Sequence, residues 1–316
     1  MKTKMKKNIN IIFAAKLGDG LCLTPVIRIL NQSWYKINLF CSEYNKVIFK
    51  DNPYVSNLIP LPWNIFKNFR FPVLPKFWSI FRLCLWQIGK FKEFKDLPTF
   101  VINENIQGYI FWKFLSKNVF YKDPVYHFLW WNEIKTKKIQ FSYQILEFFK
   151  KSLNEKFDIS KDKFKYEVFW KDVDENILKN KIETKEWFDF KNLVLFNLSA
   201  TFEERELTIE ENIKYIEQLL KDWKKILIID KDLQRNKYLK IKKYFKNFRK
   251  IFFLKQSLNL FEIYTLSKKI IEYWWPDSWI SHLISMNCPN CNIFFTKNNR
   301  AEKVWLPLQN SKAIIV

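Results

Sequence analysis

The apolar positions of this chain fall into short runs, each followed by a stretch with helical spacing. Residues 8–15 read as a buried strand, residues 16–20 as a tight turn and residues 24–31 as a helix. Thr24 is the expected cap of that helix and Pro25 suits its first turn. Residues 37–41 read as a second strand, so the chain opens on a βαβ unit. Such a unit implies a parallel sheet with helices on both faces. The second half repeats the alternation. Strands are predicted near 192–197, 225–229, 251–254, 270–274 and 292–295, with helices over 209–221, 235–248 and 260–268. Between the halves, residues 150–165 turn polar and charged and read as a linker. The pattern predicts an α/β protein of two Rossmann-like domains, 1–155 and 166–316. In parallel sheets ligands bind beyond the carboxyl ends of the strands, so the informative residues should lie just after strands.

Composition narrows the partners. The 316 residues suffice for two buried cores, and 48% hydrophobic with 19% aromatic residues excludes extended disorder. Lys+Arg 54 against Asp+Glu 32 leaves +22, which calls for an anionic partner. Part of that charge reflects a composition rich in Lys, Asn, Ile and Phe and poor in Gly. With only 4 Gly, a glycine-dense phosphate loop is excluded. The five cysteines are scattered and odd in number, which fits a reducing cytoplasm better than a disulfide framework. The basic start resembles the end of a signal peptide. Its apolar stretch is short and broken by Asn10, so a buried first strand is the better reading. No apolar run is long enough to span a membrane.

Three strand-end segments carry candidate chemistry. In Lys16-Leu-Gly-Asp-Gly20, Asp19 follows the first strand and can take a proton from an incoming hydroxyl, with Lys16 favouring its ionised form. The plainer reading is a turn aspartate, Asp-Gly being a common turn pair. In the second segment, 274–282, Asp277 or Ser278 can cap a helix whose exposed N–H groups suit a phosphate, and His282 lies one turn further on. His127, by contrast, reads as a packed or surface residue. The third segment is Asn197-Leu-Ser-Ala-Thr201 with Arg205. Ser199 and Thr201 can bond phosphate oxygens and Arg205 can neutralise them. Its plainer reading is a polar loop with Glu203, Glu204 and Glu206 solvated around it. Two further signals are set aside. Cys288-Pro-Asn-Cys291 has no second pair to complete a zinc site, and Asp172-Val-Asp174 sits where a helix start favours acids anyway. Residues 61–95 interleave aromatics with basic residues, and 76–95 could form a basic amphipathic helix.

Together these segments resemble the heptosyltransferase family of bacterial lipopolysaccharide synthesis, glycosyltransferase family 9. Leu17-Gly-Asp-Gly-Leu-Cys-Leu-Thr-Pro-Val-Ile-Arg28 looks like the family's opening Gly-Asp…Thr-Pro segment. Asp51-Asn-Pro-Tyr-Val55 resembles its Asn-Pro-x-Val, and Leu195-Phe-Asn-Leu-Ser199 the strand leading to its phosphate loop. Pro276-Asp-Ser-Trp-Ile-Ser-His-Leu283 is similar to its Pro-Asp-(Ser/Thr)-Gly-x-x-His, with Cys288-Pro289 in the place of a later x-Pro. Two departures stand out. Trp279 occupies the position of the family glycine, and the family's helical tail is short or missing after Val316.

The resemblance implies a GT-B fold, with the two parallel sheets facing an interdomain cleft. It implies an ADP-heptose-type donor bound by the C-terminal half and a lipid-linked core oligosaccharide acceptor at the N-terminal half. Transfer would invert the anomeric carbon without a metal or other cofactor. Asp19 matches the family's base, and Asp277, Ser278 and His282 match its donor-diphosphate loop. Arg205, with Ser199 and Thr201, stands where a family lysine follows the phosphate loop. Lys16, Lys67, Arg70 and Arg82 are assigned to the acceptor side, where basic and aromatic residues would meet an anionic inner membrane from the cytoplasm. The alternatives are a member with another nucleotide sugar and a catalytically inactive relative, for which Trp279 argues. A basic nucleic-acid-binding protein is the rival from another class, but it gives the strand-end motifs no role.

Overall fold

A computed structural model describes residues 6–13, 17–61, 93–102, 113, 116–121, 141–157, 165–183, 188–200, 202–276, 278–295 and 311–315. The chain divides into two compact units, Met1–Phe169 and Trp170–Val316. The division falls after Phe169, beyond the start at 166 expected for the second domain. Tyr166 and Glu167 are tied to the first helix of the N-terminal unit, by a 3.2 Å contact with Cys22 and a 2.8 Å ion pair with Arg28.

The N-terminal unit runs β1 (Lys7–Phe13), α1 (Leu17–Gln32), β2 (Tyr35–Ser42), α2 (Glu43–Phe49), β3 (Val55–Leu61), β4 (Thr99–Ile102), β5 (Val119–Tyr121) and α3 (Phe141–Leu153). Its five strands are all parallel, in the order β3-β2-β1-β4-β5. The strand order therefore reverses between β1 and β4. A polar row crosses this otherwise apolar sheet. Asn57 donates to Asn38 (2.8 Å), Asn38 to Asn10 (3.0 Å) and Asn10 to Thr99 (3.0 Å), whose hydroxyl meets Ser116 (3.0 Å). Asn10, Asn38, Asn57 and Thr99 are register partners in successive strand pairs. A slip of one residue would set an amide against an apolar side chain, and each orphaned buried group costs about 1–3 kcal/mol.

Helix α1 departs from the expectation. It begins at Leu17, so Gly18, Asp19 and Gly20 form its first turn and Pro25 lies in its interior. Two contacts allow this. Pro25 has no N–H for the Leu21 carbonyl, and the Thr24 hydroxyl donates to that carbonyl instead (2.8 Å). Gly20 permits close approach of α2: a Cβ there would stand 2.5 Å from Asn45 Oδ1 and 2.9 Å from Ile48 Cδ1.

The C-terminal unit runs α4 (Glu175–Asn180), β6 (Leu193–Asn197), α5 (Ile209–Lys221), β7 (Lys225–Ile229), α6 (Asn236–Tyr244), β8 (Ile251–Phe253), α7 (Leu260–Ser267), β9 (Glu272–Pro276), α8 (Trp279–Ile284), β10 (Cys291–Phe295) and β11 (Ser311–Ile315). Its strands are again all parallel, ordered β11-β10-β9-β6-β7-β8, so the order reverses between β6 and β9. β6 is buried throughout, which explains its unbroken apolar run. On one face of the sheet Val194, Phe196, Ile226 and Ile228 pack with Ile216, Tyr238 and Phe245 from α5, α6 and the end of α6. Thr208 and Glu211 close a reciprocal capping box that starts α5. No helix among the described residues is long and apolar enough to cross a membrane. The helix expected over 76–95 lies almost wholly outside the described residues.

Gly20→Ala tests the α1–α2 contact. Replacing a helical glycine by alanine gains at most roughly 1 kcal/mol of helix propensity, less in a first turn. Overpacking against Asn45 and Ile48, which are 0% and 2% exposed, costs about 1–3 kcal/mol. Urea unfolding should show a net loss of stability, part of which returns when Asn45→Ala is added. A net gain of stability, or a double variant no more stable than Gly20→Ala alone, would refute the close approach.

Candidate functional site

In the N-terminal unit, β1 leads to α1 at the point where the strand order reverses. Asp19 stands in the first turn of α1 and is half-buried. The unpaired N–H groups of a helix start suit a carboxylate at that position. Cys22, one turn on, has its thiol pushed up to about 12 by burial, eased by Tyr166 and raised further by Asp19. It is therefore no nucleophile at neutral pH. Lys16, Lys67, Arg70 and Arg82 lie outside the described residues, as do His127, Thr201 and Asp277.

In the C-terminal unit, two of the three strand-end segments become neighbours. β6 pairs directly with β9, with Phe196 opposite Trp274, so the exits at Ser199 and Ser278 flank the switch point of the sheet. Ser278 takes the N-cap position of α8 in an extended conformation, and its side chain makes no capping bond. His282 sits on α8. Burial lowers its imidazole to about 4, so the ring is neutral at pH 7 and can offer a hydrogen bond but not a positive charge.

Ser199 is already engaged. Its hydroxyl donates to Asn197 Oδ1 (3.1 Å) and accepts from the Lys231 amide (2.9 Å). Arg205 lies in a single 3-10 turn, Glu203–Arg205, with its guanidinium stacked 4.5 Å from the Phe202 ring centroid. Glu206 next to it overturns the solvated reading given to the three glutamates. Glu203 and Glu204 are exposed, but the Glu206 side chain is 1% exposed. It accepts from both terminal nitrogens of Arg235 (3.1 and 2.6 Å), from Lys237 Nζ (2.9 Å) and from the Ala200 amide (2.9 Å). Burial pushes this carboxyl upward, but Arg235 and Lys237 outweigh it and hold the group at about 2.

Asp230, at the exit of β7, completes the cluster. Its Oδ1 accepts from Arg235 (3.2 Å) and from the Asp232 amide (3.1 Å), and Oδ2 has no partner among the described residues. Burial raises its carboxyl and Arg235 opposes the rise. Sequence reasoning missed Glu206, Asp230, Lys231 and Arg235. The signal that could have found them is the strand-end position of Asp230, the same signal that singled out Asp19 and Asp277.

The segments set aside have structural work. Asp174 caps α4 by accepting from the Asn176 amide (2.7 Å), and Asp172 pairs with Lys268 (2.7 Å). Cys288, in the α8–β10 loop, and Cys291, which opens β10, are buried, and Cys288 Sγ donates to the Asn290 carbonyl (3.3 Å). Among the described residues no three of His, Cys, Asp and Glu gather as metal ligands.

No protein-family model matches the sequence, and no curated protein matches it. Solved structures do match the fold. E. coli heptosyltransferase WaaC with ADP shares 13% identity, with 98% of this chain and 93% of that one covered at a TM-score of 0.64. The glycosyl transferase family 9 protein from Veillonella parvula shares 12%, covering 99% and 88% at 0.68. E. coli ADP-heptose lps heptosyltransferase II shares 12%, covering 99% and 90% at 0.63. At these identities the likeness is one of fold: two parallel α/β units, as in the GT-B transferases.

The desolvated His282 imidazole makes a pH prediction. An unfolded histidine takes up a proton near 6.5, while folded His282 resists until about 4, so the unfolded state binds more protons in between. The contribution is fully present above 6.5 and fades as pH falls toward 4. His282→Gln should flatten the decline of the urea midpoint between pH 7 and pH 5. Equal declines in the two proteins would show that the ring is not desolvated.

Proposed function

We propose that this chain is a glycosyltransferase that takes a sugar from a nucleoside diphosphate. The finer reading is transfer of heptose, from an ADP-heptose-type donor to a lipopolysaccharide or lipooligosaccharide core acceptor, with inversion and without a metal. The observation that carries the proposal is positional. Asp19 and the 276–283 segment each sit at the place where their own parallel sheet reverses its strand order, which is where such sheets bind ligands. The fold likeness to heptosyltransferases supports it; one of those was solved with ADP and again with ADP-2-deoxy-2-fluoro heptose.

In this mechanism the acceptor sugar hydroxyl attacks the donor's anomeric carbon in a single displacement as its proton passes to the Asp19 carboxylate. The bond to the diphosphate breaks, and the charge left on it is met by the backbone N–H groups around Ser278 and by Arg205, with Ser199 and Thr201 as further hydrogen-bond partners. Neutral His282 donates a hydrogen bond to a diphosphate oxygen. The N-terminal domain takes the acceptor, with Lys16, Lys67, Arg70 and Arg82 toward its phosphates.

Asp19→Asn should lower turnover by about 10²–10⁴-fold, the usual contribution of a positioned base, while donor binding stays within a factor of two or so. Calorimetry and a coupled diphosphate-release assay read the two effects. Full turnover in that variant removes Asp19 from the base role. No turnover and no sugar-nucleotide binding by the native chain would favour an inactive relative, for which Trp279 is the reason. The peripheral membrane role predicts co-sedimentation with anionic liposomes at low salt and release at high salt. Failure to bind at low salt rejects it, and preferential binding of RNA or DNA would revive the nucleic-acid reading.

A further inference from the structure

Glu206 has no part in the mechanism above, yet its buried carboxylate is bonded to Arg235, Lys237 and the Ala200 amide. Its carboxylate joins two loops. One is the exit of β6, where it accepts from the Ala200 amide (2.9 Å). The other is the exit of β7, which supplies Arg235 as a two-pronged partner (3.1 and 2.6 Å) and Lys231 at 3.5 Å. Lys231 returns the link by donating to the Ala200 carbonyl (3.0 Å). Both backbone polar groups of Ala200 are thus held by one connected charge cluster. Lys237, which also pairs with Glu206, holds the Leu207 carbonyl at the start of α5 (2.8 Å). Three cations (Lys231, Arg235, Lys237) stand against two carboxylates (Glu206, Asp230), so the ionised cluster carries one excess positive charge. The Lys231 side chain is its exposed end, at 44% exposure.

We infer that Glu206 is a positioning residue for the donor: it clamps the β6 exit loop against β7 and holds Lys231 at the edge where a nucleoside diphosphate binds. This rests on the donor-site reading of the C-terminal unit. A bidentate guanidinium–carboxylate pair is directional, so its removal frees the loop rather than merely weakening one contact. The consequence belongs to ground-state donor binding. It should appear in the donor KM more than in kcat, and not in the acceptor KM.

The test uses the full chain and titrates ADP, GDP and UDP. Glu206→Gln keeps the shape and the acceptor for Ala200 but removes the charge that Arg235 grips. Affinity for whichever diphosphate the native chain binds should fall about tenfold or more, with a matching rise in donor KM and a fall in kcat of no more than about threefold. Lys231→Met should weaken the same diphosphate by more than its loss of the Ala200 contact (3.0 Å) lowers the melting temperature, because its ammonium is the exposed end of the cluster. If Glu206→Gln does not fold, Arg235→Lys decides in its place, since it keeps the charge and loses the fork. A folded variant with native diphosphate affinity overturns the inference alone. A variant that raises donor and acceptor KM equally also overturns it, in favour of general loosening. A native chain that binds none of the three diphosphates overturns the donor-site reading and this inference together.

Discussion

Both units are parallel sheets covered on two faces, and that burial is the constraint from which the remaining features follow. A strand such as β6, buried at every position, leaves no room for chemistry along its length. Polar groups must either satisfy one another inside the sheet or wait for the strand to end. The row from Asn57 through Asn38 and Asn10 to Thr99 is the first solution. It holds the strands of the N-terminal unit in one register, and so fixes where β1 stops and Asp19 begins. The second solution gathers everything chemically interesting at the exits of β1, β6, β7 and β9.

Most of the secondary structure could be read from the chain because period and burial coincide in it. β7 and α5 match their predicted spans, β6, β8, β9 and β10 shift by one or two residues, and β11 lies outside the predicted strands. The failure at α1 is instructive. Gly18 and Gly20 look like turn residues to any local rule, but Gly20 is required by the approach of α2, whose residues stand far along the chain. Tertiary contact overrode local propensity there. For the site, strand-end position pointed to Asp19, Ser199 and Ser278. It did not reveal that the Ser199 hydroxyl is engaged with Asn197 and Lys231, or that Glu206 is enclosed. Those facts depend on β7 lying beside β6, which no short motif encodes.

The electrostatics of the C-terminal unit divide between its two neighbouring exits. At the β9 exit, among the described residues, Ser278 is neutral and His282 is held in its uncharged form. At the β6 and β7 exits charge is dense but mostly internal, Arg235 and Lys237 being committed to Glu206. An anion approaching this edge would therefore meet backbone N–H groups on one side and the outermost ammonium, Lys231, on the other. The guanidinium of Arg205 lies over the Phe202 ring, 4.5 Å from its centroid.

The Thr24 hydroxyl stands in for a backbone amide that Pro25 lacks, and it also accepts from the Glu167 amide (3.2 Å). The two residues therefore constrain each other through descent. A lineage that lost the hydroxyl first, to valine for instance, would strand a carbonyl and an amide at once in a fully buried place. The tolerable order of change removes the proline before the threonine, so chains of this kind that carry the proline should carry a hydroxyl residue ahead of it.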